Sequence, residues 1–267
     1  KYGEIFFMVW SDVVVCENCG NETEFMDLFS RIGEGRIDDV ACCPHCGTII
    51  HRNKLVKKKE TYFDKLLGKT VERTKSVPYL IAYYYDGHKF RKKPDKEDLE
   101  LINRIQNINN KSWIPICELG DGDKMEDPKA KGISFIHQLY TDRTLFLLSK
   151  LWEKCNTFNR FCLTNSISRN LTKLNRFVVN KYHRNGRING PLSGTLYVPS
   201  EIVEQNIFDL LTVKHSPEVE NLNLYVPIQV GDALQNKTIP TSSVDYIFTD
   251  PPFGDNIMYS ELNRISE

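Results

Sequence analysis

Long apolar runs are missing from this sequence. No stretch approaches the roughly 18 consecutive apolar residues that a membrane helix needs, so no span is expected. An excess of one charge is missing too, since 35 Lys+Arg stand against 35 Asp+Glu. That balance excludes a uniformly basic nucleic-acid coat, while a local basic patch remains open. No basic segment precedes the short run Ile5–Trp10 and no small-residue cleavage site follows it. The run therefore reads as a strand entered mid-fold rather than a signal peptide, and a cytoplasmic location is expected. Internal repeats and low-complexity tracts are absent as well. With 40% hydrophobic and 26% charged residues, the composition excludes disordered and collagen-like classes. A length of 267 residues fits two domains, or one domain carrying an insertion. The chain starts at Lys1, and Tyr259–Glu267 reads as a polar helix start without a stop, the pattern of a fragment of a longer protein.

Cysteine is present in a pattern that assigns it work. Cys16-Glu17-Asn18-Cys19-Gly20 and Cys43-Pro44-His45-Cys46-Gly47 are two C-x2-C-G knuckles, with 23 residues between Cys19 and Cys43. Each knuckle sets two thiolates on one tight turn, and its Gly lets the backbone fold beneath a metal. Four thiolates complete a tetrahedral site that suits Zn2+. The spacing slightly exceeds the usual ribbon range and leaves room for a hairpin. Cys42 and His45 are expected to be bystanders, and Cys117, Cys155 and Cys162 to be buried packing residues. A zinc ribbon of this kind can be structural or can present a surface to nucleic acid; the spacing alone does not separate the two uses.

Between Arg52 and Lys96 the chain carries 14 Lys/Arg against 5 Asp/Glu, interleaved with Tyr79, Tyr83, Tyr84, Tyr85 and Phe90. Pro78–Phe90 reads as a β-hairpin turning at Asp86-Gly87. Basic residues alternating with rings fit a nucleic-acid face, and fit equally a solvated hairpin with half its rings in a core. Pro94–Glu97 opens a helix through Leu99, Ile102, Ile105 and Ile108. Residues 118–132 read as a loop. Its Gly120 and Gly122 do not make a nucleotide loop, because no strand leads in and no apolar helix follows. Thr141 caps a helix through Trp152, and further helices are expected over Ser166–Lys181 and Glu201–Leu211. Gly186–Gly194 reads as a loop leading into an extended Thr195–Val198.

The last third holds the candidate chemistry. Leu224–Val230 is strand-like and ends in Gly231-Asp232-Ala233. Val244–Thr249 is a second apolar strand and ends in Asp250-Pro251-Pro252-Phe253. Two strands ending in polar motifs across a short crossover suit an open α/β sheet, whose ligands gather at the carboxyl ends of its strands.

Asp-Pro-Pro-Phe after an apolar strand resembles the (D/N/S)-P-P-(Y/F) motif of S-adenosylmethionine-dependent amino-methyltransferases. The likeness extends through Val9–Asp12, the paired knuckles, Ser76–Pro78, Leu139–Arg143, Gly190–Tyr197 and Asp255-Asn256…Tyr259–Glu261 to a group of DNA methylases with an embedded zinc ribbon. In that group a Phe-x-Gly-x-Gly cofactor motif lies upstream of the ribbon, and none follows a strand in these 267 residues. The resemblance implies an α/β fold: an incomplete Rossmann-like methyltransferase sheet with an N-terminal zinc ribbon over 1–60, a basic hairpin, helix and linker over 61–130, and a partial methyltransferase domain over 131–267. It implies DNA as substrate, adenine N6 as target, S-adenosylmethionine as cofactor and a structural Zn2+ on Cys16, Cys19, Cys43 and Cys46. It places Asp250, Pro251, Pro252 and Phe253 at the reacting base and Asp232, with Asp250, at the cofactor. Asn256 and Tyr259 stand either in the base pocket or on the surface. Arg143 is expected to face solvent rather than phosphate. Gly254 keeps an RNA guanine-N2 methyltransferase open, and a non-catalytic zinc-ribbon nucleic-acid-binding module is the reading from another class.

Overall fold

The computed structural model describes residues 3–156, 160, 163, 167–214, 239–249 and 258–263. These fall into two compact units, one within 1–214 and 258–267 and the other within 215–257. In chain order the first unit contains β1 (Glu4–Val15), β2 (Glu22–Glu24), α1 (Phe25–Phe29), β3 (Ser30–Arg31), β4 (Arg36–Ile37), β5 (Val40–Cys42), β6 (Ile49–His51), β7 (Lys59–Asp64), β8 (Lys69–Thr74), β9 (Ser76–Tyr85), β10 (His88–Lys92), α2 (Lys96–Gln106), α3 (Glu126–Ala130), α4 (Asp142–Lys154), β11 (Phe177–Asn180), β12 (His183–Ile188), β13 (Glu201–Gln205), α5 (Ile207–Lys214) and α6 (Tyr259–Asn263).

The main sheet runs β10-β9-β1-β13, with β2 also on β1. Strand β1 is apolar along most of its length because both of its faces are covered. Phe7 and Val9 enter one core with Phe25, Phe29, Leu80, Phe177 and Val203. Trp10 packs on the other, which holds Leu139, Leu171, Leu196 and Ile202. Consecutive Ile202 and Val203 thus serve opposite cores, as the two-residue period of a strand requires. The register pairs Val9 with Val203 and, on the other edge, Val9 with Leu80. The hairpin at Asp86-Gly87 forms as its sequence demands, both residues having positive φ of 49° and 75°. Helix α2 carries a capping box between Asp95 and Asp98, and Thr141 Oγ1 caps α4 through the Thr144 N–H.

Several expectations are corrected. The helix expected over 166–181 does not form across the described residues 167–181: a single 3-10 turn at Ser168–Leu171 gives way to β11, which pairs with β12. The Asn180 side chain accepts from the N–H groups of Tyr182 and His183 at 3.0 and 2.9 Å, so it folds the chain back where a helix would continue. That hairpin also takes the first residues of the expected loop at 186–194. Glu201–Gln205 is a strand rather than a helix start. The helix begins only at Ile207, after Asn206 accepts from the Phe208 N–H at 3.0 Å.

The expected open α/β sheet is not what the described residues build, for every strand pairing among them is antiparallel. Val244–Thr249 has no strand structure, and Tyr246, Ile247 and Phe248 are exposed. Leu224–Val230, the other expected strand, lies outside the described residues.

Gly186 has φ +76°, and a Cβ there would run into the ring of Phe177. Gly186→Ala should lower the unfolding free energy by about 2–4 kcal/mol, the sum of backbone strain and a displaced core ring. Gly190→Ala, at φ +67° in open space, should lose only about 1–2 kcal/mol. Urea unfolding of the two variants measures the difference.

Candidate metal centre and a charged cavity

Strand β1 runs straight into the first knuckle. The end of β1 is held by backbone bonds to the segment at Val56–Lys58: Val15 N–H to Val56 O at 2.9 Å and Lys58 N–H to Val13 O at 2.8 Å. Cys16 follows. Its carbonyl accepts from Gly20 N–H at 2.8 Å, and Cys43 repeats the turn with Gly47 at 2.9 Å. Gly20 and Gly47 take φ of 72° and 75°, which a side chain would resist. The hairpin of β5 and β6 presents the second knuckle to the first.

The four sulfurs of Cys16, Cys19, Cys43 and Cys46 lie within 4.8 Å of one another. Cys16 Sγ is 3.7 Å from Cys46 Sγ, and Cys19 Sγ is 3.8 Å from Cys43 Sγ. A tetrahedron with Zn–S bonds of about 2.3 Å has edges of about 3.8 Å, so the spacing fits four thiolates around one metal and excludes two disulfides. Amide and hydroxyl donors surround the cluster. Asn21 Nδ2 reaches Cys19 Sγ at 3.3 Å, Asn18 Nδ2 reaches Cys46 Sγ at 3.6 Å, and Thr48 Oγ1 stands 3.3 Å from Cys46 Sγ. The Thr48 hydroxyl and N–H, with Asn18, push the Cys46 thiol down to about 5, and Asn21 lowers Cys19. Cys43 is driven the other way, to about 11: the His45 N–H lowers it, but burial and the neighbouring Cys16 and Cys46 sulfurs prevail. Neighbouring thiols do not all ionise without a cation among them, and a metal ion such as zinc removes that conflict. Cys42 and His45 stay outside the cluster and are exposed, as expected of bystanders. Cys117 is exposed and Cys155 half-buried, so neither is the buried packing residue its apolar neighbours suggested; Cys162 lies outside the described residues.

A second constellation was not read from the sequence. A cavity enclosing about 910 Å3, open mouth included, is lined by Trp10, Asp12, Ser76, Tyr140 and Arg143 together with Lys173. Asp12, 1% exposed, meets Lys57 Nζ at 3.0 Å, the Lys131 ammonium, and the Ser76 hydroxyl at 3.2 Å. Lys131 also donates to Pro199 O at 3.0 Å. Glu204, 2% exposed, accepts from Trp10 Nε1 and Arg143 Nε, each at 2.7 Å. Arg143 is therefore anchored on a buried carboxylate rather than facing solvent. Lys173 donates to Gln138 O at 2.8 Å, and burial, with Arg73 nearby, pushes its ammonium down to about 8. One signal of this site is present in the sequence: three of the segments in the resemblance, around Asp12, Ser76 and Arg143, meet here although they are up to about 130 residues apart.

Asp232, Asp250, Pro251, Pro252, Phe253, Gly254 and Asn256 lie outside the described residues, and Tyr259 begins α6. Among the described residues no helix is long and apolar enough to cross a membrane. No family model, curated protein or solved structure matches the chain.

Two outcomes are expected. Purified protein should carry about one zinc, and Cys16→Ser should lower that content and loosen the knuckles, as metal analysis and hydrogen exchange over residues 16–51 would record; a stable, metal-free protein excludes the site. Glu201, 9% exposed, has its carboxyl raised to about 7 by burial and by Asp12, against Lys131 and Arg52. The raised folded-state value favours the native protein below the unfolded pKa near 4.5, and that advantage is lost as pH rises through about 7. Glu201→Gln should therefore gain about 1–3 kcal/mol relative to the parent on going from pH 5 to pH 8, measured by urea unfolding.

Proposed function

We propose that this chain is part of an S-adenosylmethionine-dependent methyltransferase that modifies the exocyclic amine of a base in DNA, adenine N6. The observation that supports the reading is convergence. Trp10, Asp12, Ser76 and the run Tyr140–Arg143 come from separate segments of the resemblance and line one cavity. The same resemblance calls for a four-cysteine centre, and four cysteine sulfurs meet. A centre closed by four thiolates leaves no position open for substrate, so zinc has a structural role in this reading.

The reacting groups are those of Asp250-Pro251-Pro252-Phe253. An exocyclic amine is a poor nucleophile because its lone pair is delocalised into the ring. Hydrogen bonds accepted from its N–H groups favour the tetrahedral form that attacks. Asp250 carboxylate is one acceptor and the Pro251 carbonyl a second, the Pro-Pro turn fixing where that carbonyl points. Two acceptors aimed at the transition state are preorganised electrostatics. Phe253 stacks on the base, which must leave the duplex to be reached. Asp232 would help to hold the cofactor, its carboxylate being a suitable acceptor for the adenine amine. S-adenosylmethionine would supply an activated methyl group, and the residues that position the base against it would contribute by orientation.

The test is mass spectrometry of methylated nucleosides from host DNA and RNA after expression of the complete reading frame, beside Asp250→Ala. N6-methyladenine in DNA that vanishes in the variant is the expected result. N2-methylguanine in RNA would assign the protein to the RNA enzymes. No new mark in either pool would leave a zinc-ribbon binding module, and full methylation by Asp250→Ala would displace the site.

A further inference from the structure

Charge is balanced over the chain but not over its surface. No Asp or Glu occurs between residues 171 and 200, or between 87 and 94, although acidic residues number 35 in the whole sequence. The fold brings these two acid-free segments together as strand β10 and the hairpin β11–β12, with Asp86 at the β9–β10 turn as the nearest acidic residue along the first hairpin. Arg91 joins them, donating to the carbonyls of Asn185 and Gly186 while its guanidinium lies 5.7 and 5.9 Å from the ring centroids of Phe7 and Phe177. The groove between the hairpins encloses about 680 Å3, open mouth included. Phe6, Tyr83, Lys89, Phe90, Arg91 and Arg187 line it, and no carboxylate does.

Only some of the cations on and beside the two hairpins are spent on internal pairs. Lys92 and Lys93 are drawn to Asp95, Asp98 and Asp27. Lys89, Lys181 and Arg187 form no ion pair among the described residues. Lys89 lies 5.3 Å from the Phe6 and Tyr84 rings, Lys181 is 4.9 Å from the ring of the exposed Tyr182, and Arg187 donates to Asn189 Oδ1 at 3.1 Å. Phe90, 42% exposed, stacks on Tyr83 with centroids 5.6 Å apart and planes 25° from parallel. Strand β10 is the end of the sheet, five residues long with His88–Arg91 all exposed. Strands of five and six residues span ~16–20 Å, the length of roughly five or six base pairs of duplex.

We propose that the groove between hairpins β9–β10 and β11–β12 holds the phosphate backbone of duplex DNA, with Lys89 and Arg187 as its phosphate contacts. A polyanion with closely spaced charges matches a row of cations that lacks internal carboxylates, and flat rings beside those cations suit sugars and base edges. Phe90 is already covered on one face by Tyr83, so backbone contact fits this surface better than threading of a single strand between free rings. Arg91 is the clamp between the hairpins and is left intact in the test. The choice of duplex DNA rests on the function proposed above; the surface itself is read from the charges and the groove.

The experiment is fluorescence anisotropy of a labelled 30-mer duplex with the protein from the complete reading frame, in a salt series and without cofactor. Lys89→Glu with Arg187→Glu should weaken binding at least about 30-fold at low salt and reduce the slope of log K against log salt by about two. Lys96→Glu with Lys150→Glu, on helices α2 and α4, makes the same change in net charge and should weaken binding less than about threefold. Zinc content and a thermal melt verify folding, and Lys89→Gln with Arg187→Gln replaces the reversal if it does not fold. Equal losses in the patch and control variants overturn the proposal, as does no binding to duplex. Competition by poly-glutamate as strong as by DNA, or tighter binding of single-stranded RNA, overturns the choice of partner. Because no methyl transfer is measured, a patch effect that persists in Asp250→Ala upholds the groove even if methylation is never found. Methylation by a protein whose binding ignores the patch upholds the function and removes the groove.

Discussion

A carboxylate taken out of water must find charge and hydrogen bonds or shed its own charge. Asp12 is held at 1% exposure where the pairing of β1 with β9 ends, and what satisfies it organises the protein around it. Lys57 comes from the segment that leaves the cysteine region, Ser76 from the start of β9, and Lys131 from the C-terminal cap of α3. Lys131 in turn holds the Pro199 carbonyl just ahead of β13. One buried group thus fixes where four distant stretches meet. Removing a single partner would leave a charge stranded in the interior, which is far costlier than the net worth of any one of the pairs.

Glu204 repeats the arrangement from the opposite strand. It sits on β13, accepts from the Trp10 indole on β1 and pins Arg143 near the start of α4. With Asp12 it gives the cavity walls that are charged yet internally neutralised, and so rigid. The metal centre lies at the end of the same strand: β1 delivers Cys16 four residues after Asp12. The placement of the first knuckle therefore depends on the same strand register that places Asp12 and Trp10.

What the sequence made legible was local. Two knuckles announce a four-sulfur centre because each needs only four residues and a glycine. The Asp86-Gly87 turn, the helix start at Pro94–Glu97 and the Thr141 cap are legible for the same reason, each being settled within four residues. The errors fall where a distant partner decides. Glu201–Gln205 has an apolar middle that suits a helix or a strand, and it is a strand because β1, some 190 residues earlier, offers an edge. Phe177–Asn180 suits the end of a helix by its own composition, and the turn at Asn180 sends it into a hairpin instead. Arg143 gave no sign of its buried partner, since Glu204 lies 61 residues on. The acid-free groove is invisible to a count of charges that sums to zero, because what matters there is segregation in space.

The pairing of Trp10 with Ile202 also has a consequence for how the chain comes off the ribosome. At about 5–20 residues per second, β1 emerges ~10–40 s before β13 is made. During that interval an apolar strand with an unpaired edge stands beside a nascent chain, the situation in which strands find wrong partners. The two knuckles are complete by residue 47, and β9 is complete by residue 85. A metal captured on the four cysteines, followed by closure of β9 on β1, would cover one edge early and leave only the other to wait. The order of the segments along the chain thus sets an order of assembly in which the ribbon serves first as a fastener for a sheet that is not yet finished.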